Sequence, residues 1–272
     1  MKKLLLLILF FAVIGSGIFI IRKNPEDQLK KIIYPSEYRV MTYNIHHGVG
    51  TDGMYSLSRI VRVIREHAPH IICLNEVDYK TERTYRDDQA RILAAELGME
   101  FTYARNLSLQ GGWYGNAILS KYPIYFSENK ILSKREGDEP RGMLHTILSV
   151  NNQKLHVYGT HLSTDSLYSS AELKELLNHA LDWGLDEPTI IAGDLNMTPD
   201  LKRINDLTYY FYDVGALAKQ EYFTYPSGSP EKRIDYIFMN DKLVPFSVQT
   251  VENDYSRVAS DHLPVVAKFR IK

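Results

Sequence analysis

Cysteine is almost absent. Cys73 is the single one among 272 residues, and it sits within the apolar run Ile71, Ile72, Leu74. One thiol excludes a disulfide framework, and this setting suits a small buried hydrophobe better than a nucleophile. Clusters of Cys and His at the spacing of a structural zinc site are also missing. Internal repeats and low-complexity tracts are absent, and no shift in composition divides residues 37–272. The body lacks an excess of basic charge as well. Residues 1–36 carry six Lys/Arg against two Asp/Glu, which leaves 26 basic and 31 acidic residues beyond them. That balance does not favour nucleic acid as a partner.

Long hydrophobic runs are confined to one place. Residues 4–21 form 18 consecutive uncharged residues between Lys2, Lys3 and Arg22, Lys23. As a helix this run measures about 27 Å, enough for a bilayer core. A cleaved signal segment is the alternative, with Gly15 and Gly17 as small residues for a cleavage site. Ile18–Ile21 continue the apolar run past them, which favours an uncleaved anchor. The expected organisation is a membrane anchor over 1–23, a polar tether over 24–36 and one large body over 37–272. The body is then expected outside the cytoplasm, tethered to the membrane, or secreted if the segment is cleaved.

Within the body, strands outnumber helices. Strands are expected over 38–45, 71–74, 101–104, 117–119, 124–126, 143–150, 155–161, 235–239, 248–251 and 263–271. Helical spacing appears at Leu57, Ile60, Val61 and Ile64, and over 90–97 and 171–183. Two sheets packed face to face with helices outside, an α/β sandwich, fit this order better than a simple βαβ alternation.

The stretch Thr189–Pro199 shows how polar residues are placed. Ile190, Ile191 and Ala192 read as a buried strand between Pro188 and Gly193, and Asp194 and Asn196 follow at its mouth. A carboxylate beside a buried strand needs a partner, because desolvating it alone costs several kcal/mol or more. The same pattern recurs. Val40–Tyr43 leads to Asn44, Ile71–Leu74 to Asn75 and Glu76, and Val157–Thr160 to His161. Asp235 opens the run Tyr236–Phe238, and Ser260-Asp261-His262 precedes Leu263–Val266. A turn cap or a satisfied core histidine accounts for any one of these, but six together gather polar groups at one edge of a sheet pair.

These blocks, with Gly115–Ser120 and Arg233–Ile237, occur in an order that resembles the endonuclease/exonuclease/phosphatase superfamily of DNase I-like, metal-dependent phosphoesterases. The resemblance covers 39–272. Asn75 departs from it, since the family more often has Gln before the glutamate. The resemblance implies a four-layer α/β sandwich of two mainly antiparallel sheets with flanking helices. It also implies Mg²⁺, with Mn²⁺ as a substitute, bound by Glu76 with Asn44 and Asp261. Asp194 and Asn196 would orient and deprotonate the attacking water. His262, held by Asp235, would bind or protonate phosphoryl oxygens, and His161 would act as acid or phosphate ligand. Asn116 and Arg141 are the expected substrate contacts. Hard oxygen ligands suit such a cation, and a phosphodiester needs charge neutralisation before water can attack it. The expected substrate is a phosphodiester or phosphomonoester. The rivals are a surface nuclease, a phospholipid or sphingomyelin hydrolase, and a catalytically silent binding module. His46 and His47 directly follow the Asn44 strand, which would let one of them line the cleft, although the favoured reading is partly exposed loop residues. Trp113 and Tyr114 read as either a pocket edge or core.

Overall fold

Alternation along the strands sends their apolar side chains to two different cores. In β1 (Tyr38–Asn44) Val40 faces one core while Met41 and Tyr43 face another. The computed structural model describes residues 37–134, 136–201, 204–218 and 221–272. The anchor and tether expected over 1–36 lie outside the described residues.

The first sheet contains β1, β2 (Ile71–Tyr79), β3 (Glu100–Leu109), β4 (Gly112–Ser120), β11 (Leu243–Thr250) and β12 (Val265–Ile271), in the order β11-β12-β1-β2-β4-β3. The second contains β5 (Ile124–Ile131), β6 (Gly142–Val150), β7 (Gln153–His161), β8 (Thr189–Asp194), β9 (Tyr212–Asp213) and β10 (Asp235–Met239), in the order β5-β6-β7-β8-β10-β9. Pairing is antiparallel except between β1 and β2 and between β7 and β8. Those two parallel pairs need long crossovers. They are supplied by α1 (Leu57–His67) and α3 (Ser166–Asp182).

Val40, Cys73, Ile118, Leu144, Val157, Ile190, Ile237 and Val265 fill the space between the sheets. Met41, Tyr43, Ile72, Leu74 and Leu119 face outward and pack against Ile60 and Ile64 of α1 and Leu93 of α2 (Gln89–Leu97). On the far side Met143, Tyr158, Ile191 and Phe238 pack against Leu173 and Leu176 of α3 and Leu207 of α4 (Ile204–Thr208). Helix, sheet, sheet, helix is the four-layer sandwich expected from the sequence.

The expected strand over 71–74 runs on to Tyr79 and carries Asn75 and Glu76 within it. The helix expected from 171 starts earlier, because the Asp165 side chain accepts the backbone N–H of Leu167 and caps it.

Candidate active site

Strand registers bring the polar ends to one rim. Asn44 lies beside Asn75, while Asp194 lies between His161 and Asp235. Asn44, Asn75, Asp194 and His161 follow the inward-facing residues at spacings of two or four, so their parity aims them between the sheets. Asn75 joins the sheets there. Its amide N–H₂ donates to the Thr160 carbonyl at 2.8 Å and to Asn116 Oδ1 at 3.0 Å, and its Oδ1 accepts the Asp194 backbone N–H at 3.0 Å. The approach of β7 to β8 is close at this end. A Cβ on Gly193 would lie 1.8 Å from the Thr160 carbonyl oxygen, so only glycine fits.

Glu76 follows a different rule. Period two would turn it outward, onto the helix side. The β2–β4 register instead shifts between Leu74 and Val77, and Glu76 takes a left-handed φ of 57°. This bulge re-aims its carboxylate into the cleft. There Asn44 Nδ2 donates to Glu76 Oε1 at 3.0 Å and to Asp194 Oδ2 at 3.2 Å. His47 Nδ1 lies 3.8 Å from Glu76 Oε2, and His46 Nδ1 lies 4.0 Å from Asp261 Oδ1. Burial pushes Glu76 upward, but the His47 ring and the Asn44 amide outweigh it and hold the carboxyl well below its ordinary range.

On the opposite wall the Asp235 carboxylate lies 2.9 Å from His262 Nδ1, and the other ring nitrogen, Nε2, lies 3.7 Å from Asp194 Oδ2. Burial alone would discharge this imidazole. The carboxylates of Asp235 and Asp194 outweigh it and push its pKa up to about 10. Burial and the Asp235 charge push Asp194 upward. His161 behaves oppositely. Burial and the Arg141 guanidinium, 3.0 Å from its Nδ1, hold it well below 6.5 and keep the ring neutral. Asn196 Nδ2 lies 3.1 Å from His161 Nε2 and donates to the Leu162 carbonyl, while its backbone N–H is accepted by Asp194 Oδ1.

Glu76, Asp194, Asn196, His161, His262, Asp261 and Arg141 all line one open cleft of about 960 Å³. Asp235 and Asn44 stand behind it as partners of His262 and Glu76. Asn116 does not reach the cleft wall. It is 1% exposed, and its amide is committed to Asn75 and the Gly142 carbonyl. His46 and His47 also line the cleft, as does Tyr114, which takes the pocket-edge place that was one of its two expected readings. His47 is brought in by Gln89, whose side chain accepts the Asp78 N–H and donates to the His47 carbonyl. Nothing in the local sequence around either residue signals that contact.

The donor set fits a hard divalent cation. Glu76 and Asp261 offer carboxylate oxygens at the cleft surface, and His47 Nδ1 is buried there without a hydrogen-bond partner. Four carboxylates converge, while Arg83 is already held by Asp78 at 2.7 and 2.8 Å. Asp194, Asp235 and His262 also lie within 4.8 Å of one another. There the imidazolium itself supplies the positive charge, and an ion would compete with the His262–Asp235 bond. Glu76 is the better ligand.

A two-sheet sandwich with this constellation at one rim is the active-site architecture of a metal-dependent phosphoester hydrolase. The chain belongs to the endonuclease/exonuclease/phosphatase family, whose sequence pattern matches residues 41–262. It is 30% identical over 169 residues to the uncharacterized protein YbhP of Escherichia coli K12, covering 58% of this chain and 66% of that one. It is 27% identical over 217 residues to a phospholipase C of Staphylococcus aureus, covering 62% of each. The chain thus spans just under two thirds of the curated relatives it matches. An endonuclease/exonuclease/phosphatase of Beutenbergia cavernae superposes with a TM-score of 0.70 at 25% identity, over 87% of this chain and 72% of that one.

Proposed function

We propose that this protein is a membrane-tethered, Mg²⁺-dependent phosphodiesterase acting outside the cytoplasm, with a phospholipid headgroup as the preferred substrate class. The observation that carries the catalytic reading is the opposition of two walls in one cleft: Glu76 on one side, the Asp235–His262–Asp194 group on the other. Glu76 would hold the ion with Asp261, and Asn44 would orient the Glu76 carboxylate. The bound ion would neutralise the phosphate and stabilise the leaving oxygen. Asp194 and Asn196 align the attacking water, and Asp194 takes its proton. His262, charged by Asp235, donates Nε2–H to a phosphoryl oxygen. Neutral His161 and the Arg141 fork hold the remaining oxygens.

The substrate class rests on the likeness to the staphylococcal phospholipases C, the acidic body and the apolar run at residues 4–21. In this reading residues 1–23 anchor, 24–36 tether and 37–272 catalyse. The full-length protein, assayed with Mg²⁺ on phosphatidylcholine, sphingomyelin, DNA and RNA, tests it. Headgroup release that stops in chelator is expected. Turnover confined to nucleic acid would replace the lipid reading, and no turnover of any phosphoester would overturn the enzyme.

A further inference from the structure

A second group of titratable side chains lies on the outer face of the second sheet, beneath the end of α3. Its β7 member, His156, is five residues from His161, about 16 Å along the strand from the catalytic cleft. The contacts form a chain. Glu187 Oε2 lies 2.6 Å from His156 Nε2, and His156 Nδ1 lies 3.1 Å from His145 Nε2. His145 Nδ1 lies 3.4 Å from Glu128 Oε1, which also meets His179 Nε2 at 2.9 Å.

Counting protons along this chain exposes a deficit. Three contacts link Glu187, His156, His145 and Glu128, and each needs one proton. Two neutral imidazoles carry only two. If His156 donates to Glu187 and His145 donates to His156, then His145 Nδ1 and Glu128 Oε1 face each other as two acceptors. Reversing both rings only moves the clash to Glu187, where the contact is shortest. The longest contact, at Glu128, is therefore the one left without a proton.

One more positive charge is needed at that end. A proton would place it on His145, which is fully buried, stacked on Tyr158 at 4.2 Å and edged by Trp183 at 4.8 Å. A cation would sit instead where the cluster meets solvent, since the Glu128 side chain is 38% exposed.

We propose that Glu128, His145 and His179 bind a transition-metal ion of the Zn²⁺ class at a site separate from the catalytic cleft, with His156 and Glu187 orienting His145. The three donor atoms lie within 4.8 Å of one another. Ligand atoms in a tetrahedral zinc site are about 3.3 Å apart, close to the 2.9 and 3.4 Å found around Glu128 Oε1. Two imidazoles and one carboxylate suit zinc and its neighbours and disfavour Mg²⁺. A histidine ligand whose other nitrogen is held through a further imidazole to a carboxylate is oriented as metal-bound histidines usually are. The ion would tie edge strand β5, through Glu128, to β6 and α3. The proposal does not rest on the catalytic reading.

The test uses the full-length protein in detergent, stripped with chelator and titrated with Zn²⁺ in millimolar Mg²⁺. Bound zinc is measured by mass spectrometry and by competition with a chromophoric chelator. The wild type is expected to hold one zinc equivalent that His179→Gln and Glu128→Gln lose, and Glu76→Gln is expected to keep it. Glu187→Gln should weaken the same equivalent by about 10–100-fold. Co²⁺ in place of Zn²⁺ should give a visible spectrum that His179→Gln abolishes. Zinc kept by both His179→Gln and Glu128→Gln but lost in Glu76→Gln would put the ion in the cleft and overturn the proposal. So would a wild type that takes up no zinc while ¹⁵N NMR at neutral pH shows an extra proton on the His145–His156 pair.

Discussion

Asn75 of the first sheet accepts the backbone N–H of Asp194 in the second at 3.0 Å, so one buried amide fixes the strand ends at the cleft against each other. Asn75 is fully buried and makes three hydrogen bonds, two across the interface to Thr160 and Asp194 and one to Asn116 of its own sheet. Asn75→Ala would leave the Asp194 N–H, the Thr160 carbonyl and Asn116 Oδ1 without that partner in a dry core. Each buried unsatisfied group costs about 1–3 kcal/mol. Urea unfolding should show a loss of about 3 kcal/mol or more. A variant as stable as the wild type would mean that the sheets dock without this clasp.

Glu76 is turned into the cleft only by the bulge in β2, and among the described residues no Lys or Arg pairs with it there. Glu76→Gln should raise the Mg²⁺ needed for half-maximal rate by at least about tenfold. Stability should fall modestly, because the substitution removes the favourable interactions with the His47 ring and the Asn44 amide that hold the carboxyl ionised. A full rate at the original Mg²⁺ concentration would remove Glu76 from the metal site, and undiminished turnover in chelator would remove the metal.

Asp235 and His262 lie 27 residues apart and meet at 2.9 Å. Asp235→Asn and His262→Ala should each lower kcat by about 10²–10⁴-fold. The double variant should lose far less than the product of the two, because groups acting as a unit are not additive. Asp261→Asn, next to His262, should instead shift the Mg²⁺ dependence. Multiplicative losses for Asp235 and His262 would show that they act independently.

A pH effect on folding should come from the N-terminal edge of the first sheet. His70 Nδ1 accepts the Arg39 backbone N–H at 3.0 Å, between the rings of Tyr38 and Tyr122. Burial, then the charges of Arg39 and Lys121, hold His70 below its ordinary 6.5. Between its folded and unfolded pKa values the unfolded chain binds the extra proton. The stabilisation is therefore full above pH 6.5 and is lost as the pH falls through the depressed folded value. Urea midpoints from pH 8 to 5 should fall less steeply in His70→Phe. An identical slope would exclude His70 as the source.

If residues 4–21 anchor the protein, the full-length chain should sediment with membranes and resist extraction by high salt, which releases only electrostatic attachments. A soluble mature protein beginning beyond Gly17 would mean a cleaved signal. Among the described residues, no helix is long and apolar enough to cross a membrane.

Alternation and a polar terminus are local signals, so the buried strands and the polar residues that end them could be read from the residues alone. Asn44, His161, Asp194 and Asp235 were legible for that reason. Their convergence is a matter of register, and the resemblance to a family was needed to anticipate it. The remaining features depend on contacts between distant segments. Glu76 faces the cleft through a bulge that breaks the period the sequence obeys. Asn116 is buried behind Asn75. His47 reaches the cleft because Gln89, 42 residues on, holds its backbone. The Glu128, His145, His156, His179 and Glu187 cluster has no motif at all. Its contacts span 11 to 51 residues, and side chains that distant become neighbours only when β5, β6, β7 and α3 are packed together.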